Sequence, residues 1–170
     1  MWNLLRRSIK MGRLARKISI DSGTTSEPIL PELGQSLHIR HLDCGSCNGC
    51  DWEMTALLNP VYDIQRFGFD FVASPRHADV LMCTGPASTH LVRAARDTYE
   101  AMPNPKCVVA VGDCAINGGV SQGSYASRQG IGEVLPVQVC IPGCPPTPED
   151  MINGLLQIIG KRPINLQKAD

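Results

Sequence analysis

Three apolar stretches of this chain each run into a short turn, rich in glycine or proline, that carries cysteine. SLHIRHLD (36–43) leads into Cys44-Gly-Ser-Cys47-Asn-Gly-Cys50, KCVVAV (106–111) into Gly112-Asp113-Cys114, and VQVCIPG (137–143) into Cys144-Pro-Pro. A continuous apolar run such as KCVVAV is the pattern of a strand buried on both faces of a helix-covered parallel sheet. Helical patterns lie between the strands. One passes through Trp52, Met54, Ala56, Leu57 and Leu58 and stops at Asn59-Pro60. A second is predicted to start on Ser88 as its cap and to end at Met102-Pro103. A third is opened by Thr147-Pro148-Glu149-Asp150, with proline at its first turn. Phe67 to Val72 and Asp79 to Met82 add two short strands. This alternation predicts an α/β domain: a flavodoxin-like, open, mostly parallel sheet with helices on both faces. Sites in such sheets form outside the carboxyl ends of the strands. The three cysteine turns are therefore expected to meet at one edge.

The chain has eight cysteines. Its start lacks the uninterrupted apolar core of a secretory signal, because bases break it every few residues. Metal or redox chemistry in a reducing compartment then explains the thiols better than disulfides. Thiolates from separate turns suit a 4Fe–4S cluster, which takes four. A zinc ribbon pairs two CxxC knuckles, whereas this chain has one knuckle and two isolated thiols. Cys114 and Cys144 are candidate ligands, and spacing alone leaves open which two of Cys44, Cys47 and Cys50 join them. Cys83, Cys107 and Cys140 fall within or at the ends of apolar strands and are expected to be buried. His38, His41, His77 and His90 read as ordinary surface or core residues. No catalytic triad, Walker A loop or complete dinucleotide fingerprint stands out. The chain reads as a relay rather than a catalyst by itself.

A length of 170 residues, 43% hydrophobic, fits one globular domain, read as residues 36–170. Residues 1–20 read as a basic amphipathic helix, with Leu4, Met11, Ala15 and Ile18 on one face and Arg6, Lys10, Arg13 and Lys17 on another. Such a helix suits anionic headgroups or the membrane arm of a complex. A helix docked on a partner protein, a basic tail and a transit peptide are the other readings. Residues 21–35, with Pro28 and Pro31, read as a linker. Six bases precede the first acid, leaving ten against sixteen acids in the remainder. That balance argues against nucleic-acid binding by the main body. No apolar run approaches the roughly 20 residues that span a bilayer.

The stretches CGSCNGCDWE, YDIQRFGFDFVASPRHADVLMCTGP, PNPKCVVAVGDCAINGG and PVQVCIPGCPPTPEDMINGLLQ resemble a known family. It comprises the complex I 20 kDa subunit and the small subunits of membrane-bound, energy-converting NiFe hydrogenases. The resemblance runs from about Gly45 to Ile159. It implies one 4Fe–4S cluster on Cys47, Cys50, Cys114 and Cys144, with Cys44 a bystander. It further implies that Arg76, in Ser74-Pro75-Arg76-His77, tunes the cluster and that Glu53 works at the large-subunit interface. Partners implied are a large (49 kDa-type) subunit carrying the NiFe centre, a ferredoxin-like iron–sulfur subunit and integral membrane subunits. The expected place is peripheral, on the cytoplasmic face of the cell membrane. Respiratory complex I has two adjacent cysteines where this chain has Cys47-Asn-Gly-Cys50, so the resemblance leans to the hydrogenase branch. A relay ending at a quinone, a sulfur-reducing relative and a non-catalytic assembly subunit with a structural metal are the alternatives.

Overall fold

The computed structural model of the chain describes residues 28–29, 36–161 and 164. The predicted helix at 1–20 and most of the 21–35 linker lie outside the described residues. Strands β1 (Leu37–Asp43), β2 (Phe69–Phe71), β3 (Val80–Thr84), β4 (Cys107–Val111) and β5 (Val139–Ile141) form one sheet in the order β2-β1-β3-β4-β5. Every pairing is parallel. Helices α1 (Gly49–Ala56), α2 (Val92–Ala101), α3 (Asp113–Asn117) and α4 (Pro148–Ile158) connect or follow the strands. The predicted flavodoxin-like α/β architecture is thus observed, with the strand order of that doubly wound class.

The two central strands explain the apolar runs. β3 and β4 are buried at every position. Alternate side chains point to opposite faces, so Val80, Met82, Val109 and Val111 feed one core, and Leu81, Cys83, Val108 and Ala110 the other. The first core is closed by Met54 and Leu57 from the α1 region and by Met151, Ile152, Leu155 and Leu156 of α4. The second is closed by Ala95 of α2 with Met102, Ile131 and Leu135. Helix α4 opens as its sequence predicts. The Thr147 hydroxyl accepts from Asp150 N, and the Asp150 carboxylate accepts from Thr147 N, which makes a capping box with proline at the first turn. Gly154 lets α4 lie against β5, since a Cβ there would sit 2.5 Å from Ile141 Cδ1.

Two expectations need correction. Helix α2 begins at Val92, not at a Ser88 cap. Ser88 N donates to Cys44 O and the residue bridges to Ser127, so its backbone is already committed to the cysteine loop. Cys140 is exposed rather than buried. β5 is an edge strand, and only its Val139 and Ile141 face the α4 core.

Candidate metal centre

Parallel pairing places the carboxyl ends of β1, β3, β4 and β5 together, and the site is assembled from the turns that follow them. After β1, the Asp43 carboxylate accepts the N–H groups of Gly45 (2.9 Å) and Ser46 (2.7 Å), which closes the loop. Cys44 turns away from this edge. It is 1% exposed, sits in the α2-side core and hydrogen-bonds through its thiol to Cys83. Cys50 lies in the first turn of α1. After β4, Gly112 N donates to Ile141 O at 2.8 Å and Asp113 N to Gly143 O at 2.9 Å. Gly143 N returns a bond to Asp113 Oδ1, also at 2.9 Å. This reciprocal clasp locks the Cys114 turn to the Cys144 turn.

The outcome is a cavity of about 110 Å³ lined by Cys47, Cys50, Cys114 and Cys144 together with Gly49, Gly85 and Gly143. Glycine keeps the sulfurs in place. A Cβ on Gly112 would stand 2.6 Å from Cys50 Sγ, and one on Gly119 would stand 2.8 Å from Cys114 Sγ. Burial pushes the Cys50 thiol up to about 11, helped by the Asp51 carboxylate and by Cys114, Cys47 and Cys144. Burial also raises Cys114, against a lowering backbone hydrogen bond from Val120. Crowded thiols that resist ionising together need positive charge among them to become ligands. Among the described residues, no three Cys, His, Asp or Glu groups close around a single ion position. Zinc would need four donors at about 2.0–2.3 Å from one point. Four thiols walling a cavity fit a polynuclear cluster with cysteine thiolates at its corners.

Beside the cavity lies a polar group of side chains that sequence reasoning missed. Asp51 accepts from the hydroxyls of Ser46 and Thr84, the latter at 3.0 Å. His41 Nε2 is 3.0 Å from both Asp51 Oδ1 and Thr84 Oγ1. Burial lowers the His41 pKa more than Asp51 and Asp43 raise it, so this contact is not that of a charged imidazolium at neutral pH. Thr84 is fully buried. The group pins the Cys47–Cys50 loop to β1 and β3. The available signal was one polar residue ending an otherwise apolar strand. Thr84→Val is expected to leave Asp51 short of a donor and to cost about 1–3 kcal/mol. Urea unfolding of the purified protein checks this, and an unchanged midpoint would remove Thr84 from the loop's support.

The two other residues singled out in the sequence lie outside the cavity lining. Arg76 is exposed on a 3-10 turn, Pro75–His77, whose contacts are with α2. Glu53 is half-buried on α1, three residues beyond Cys50.

A family model described as NADH ubiquinone oxidoreductase, 20 Kd subunit, matches residues 47–158. Probable membrane-bound hydrogenase subunit mbhJ of Pyrococcus furiosus is 42% identical over 129 residues, covering 76% of this chain and 77% of that protein. An NADH-quinone oxidoreductase subunit of Citrifermentans bemidjiense is 46% identical over 112 residues, covering 66% of this chain and 65% of that protein. A chain in the structure of the membrane-bound sulfane sulfur reductase, an archaeal respiratory membrane complex, superposes with a TM-score of 0.67 at 34% identity. That match covers 79% of this chain and 75% of the other. With the strand order, the cysteine turns and a match across both, this chain belongs to the 20 Kd subunit family of NADH ubiquinone oxidoreductase.

Proposed function

We propose that this protein is the electron-transfer small subunit of a membrane-bound, hydrogenase-type oxidoreductase complex. It relays single electrons through one 4Fe–4S cluster held by Cys47, Cys50, Cys114 and Cys144, to or from a NiFe centre in a large subunit. The observation that carries this reading is the shared cavity of those four thiols. A 4Fe–4S cluster bound there supplies one-electron chemistry at a potential set by charge, hydrogen bonds and exposure. The chain's own residues do the rest. The Asp113–Gly143 clasp keeps two ligand turns in register, and Asp51 holds the third. Exposed apolar side chains lie on and just beyond α1, which carries Cys50: Trp52 (74% exposed) and Leu58 (55%). These suit coverage by a large subunit. Cluster-tuning by Arg76 and interface work by Glu53 stay secondary proposals, because neither lines the cavity.

The hydrogenase end-point is supported by the Cys47-Asn-Gly-Cys50 spacing and by the identity to the membrane-bound hydrogenase protein. A quinone end-point is the second reading, favoured by the 46% identity to the NADH-quinone oxidoreductase protein. Purifying the intact complex through this chain separates them. Nickel in the complex, with hydrogen evolution from a reduced low-potential dye, supports the first. No nickel, with inhibitor-sensitive quinone reduction, replaces it with the second. A redox-silent metal would instead make the chain a structural assembly component.

In this reading the chain is peripheral, on the cytoplasmic face of the membrane, as part of the membrane-bound complex. Among the described residues no helix is long and apolar enough to cross a membrane. Deleting residues 1–20 is expected to weaken association with the membrane subunits. Unchanged fractionation of the truncated chain would remove that role.

A further inference from the structure

We propose that the backbone N–H of Val120 is a tuning group of the metal centre, donating to Cys114 Sγ and thereby raising the reduction potential of a cluster bound there. This rests on the cluster reading above and adds a residue to it. The geometry begins with the end of α3. Gly118 and Gly119 both adopt positive φ, +86° and +49°, and reverse the chain over the helix they follow. The 3-10 turn Gly119–Ser121 is thereby laid back on Cys114. The approach is tight enough that a Cβ on Gly119 would be 2.8 Å from Cys114 Sγ and 3.1 Å from Cys114 N. Glycine at 119 is therefore required for the turn to reach the sulfur.

The neighbouring amides are used locally. Gly119 N donates to Asn117 Oδ1 at 2.9 Å. Ser121 N donates to Gly118 O at 2.9 Å and Gln122 N to Gly119 O at 3.2 Å. Val120 follows Gly119 directly, so its N–H sits where the turn closes on Cys114 and makes a backbone hydrogen bond to that sulfur. Its side chain is 92% exposed, so position 120 serves this site through its backbone and not through packing.

Reduction adds one electron while the same four thiolates stay bound, so negative charge on the sulfurs increases. A donor to a sulfur stabilises the more negative state and moves the potential upward. An amide supplied by the backbone cannot be altered by ordinary side-chain change, with one exception. Proline removes the N–H, and its φ is compatible with a helical turn.

The test is an EPR-monitored redox titration of the purified complex carrying Val120→Pro or Val120→Ala. Val120→Pro is expected to move the midpoint to a more negative potential. Val120→Ala, which keeps the amide, is expected to leave it at the wild-type value. Equal midpoints in the two variants overturn the proposal. If Val120→Pro fails to hold a cluster, the unmodified complex labelled with [15N]valine decides. A 15N hyperfine coupling to the reduced cluster that disappears in Val120→Ala supports the amide contact, and its absence overturns it. An unmodified complex without any iron–sulfur signal overturns the cluster reading together with this one. A normal signal with unshifted Val120→Pro overturns the role of Val120 alone.

Discussion

Serine at Cys114 or at Cys144 is expected to abolish the EPR signal of the reduced cluster, whereas serine at Cys44 is expected to leave it largely intact. Cys114 and Cys144 are carried on separate turns that the Asp113–Gly143 hydrogen bonds hold together. Neither has a second thiol beside it in sequence that could take over. A serine hydroxyl is far less acidic than a thiol and is a poor match for the thiolate set that such clusters take. Cys44 lies one turn of chain from Cys47 but on the other side of the sheet edge, in the α2-side core against Cys83. Serine there keeps a hydroxyl for that contact. The comparison is EPR of the reduced complex, with iron counted per chain. A signal that survives in Cys114→Ser or Cys144→Ser would break the ligand assignment. Its loss in Cys44→Ser would mean that Cys44 belongs to the ligand pair of the first loop.

Gly112→Ala is expected to have an effect of similar size without replacing a cysteine. Gly112 has φ +85° and ψ 158°, a region that is essentially glycine's own, so a side chain costs about 1–3 kcal/mol in backbone strain. The new Cβ would also meet Cys50 Sγ at 2.6 Å. The backbone cannot easily move away, because Gly112 N is bonded to Ile141 O on β5. Rotation of Cys50 relieves the clash only by swinging its thiol from the cavity. The variant should therefore lose iron and acid-labile sulfide while its circular dichroism stays native. Gly123→Ala is the matched control: φ is +79° there too, but no atom lies within 4 Å of the added Cβ. Full iron content in Gly112→Ala would show that the space between the cysteine turns is not where the metal sits.

Legibility of the chain followed the range of the physics involved. The apolar run of β4 and the capping box of α4 are local statements, and both were readable from adjacent residues. The meeting of the cysteine turns needed one further rule, that parallel strands send their carboxyl ends to one edge. Arg76 and Glu53 entered through family resemblance, and the fold sets both outside the cavity lining. Asp51 left only one trace in the sequence, the polar Thr84 that ends the apolar run of β3. Its partners His41 and Thr84 come from two different strands, Thr84 being 33 residues away.

By itself the sequence determined the alternation of strand and helix, the parallel sheet that follows from it, and the edge at which the thiols gather. Those are consequences of side-chain periodicity, of caps and of chain connectivity, which act within segments or between consecutive ones. Only the tertiary structure decided that Cys44 turns into the core while Cys47 and Cys50 face the cavity. It also decided that Cys140 lies on an uncovered strand edge and that the Val120 amide folds back on Cys114. Each depends on what packs opposite a residue, and a neighbour brought in by the fold leaves no mark on the local pattern.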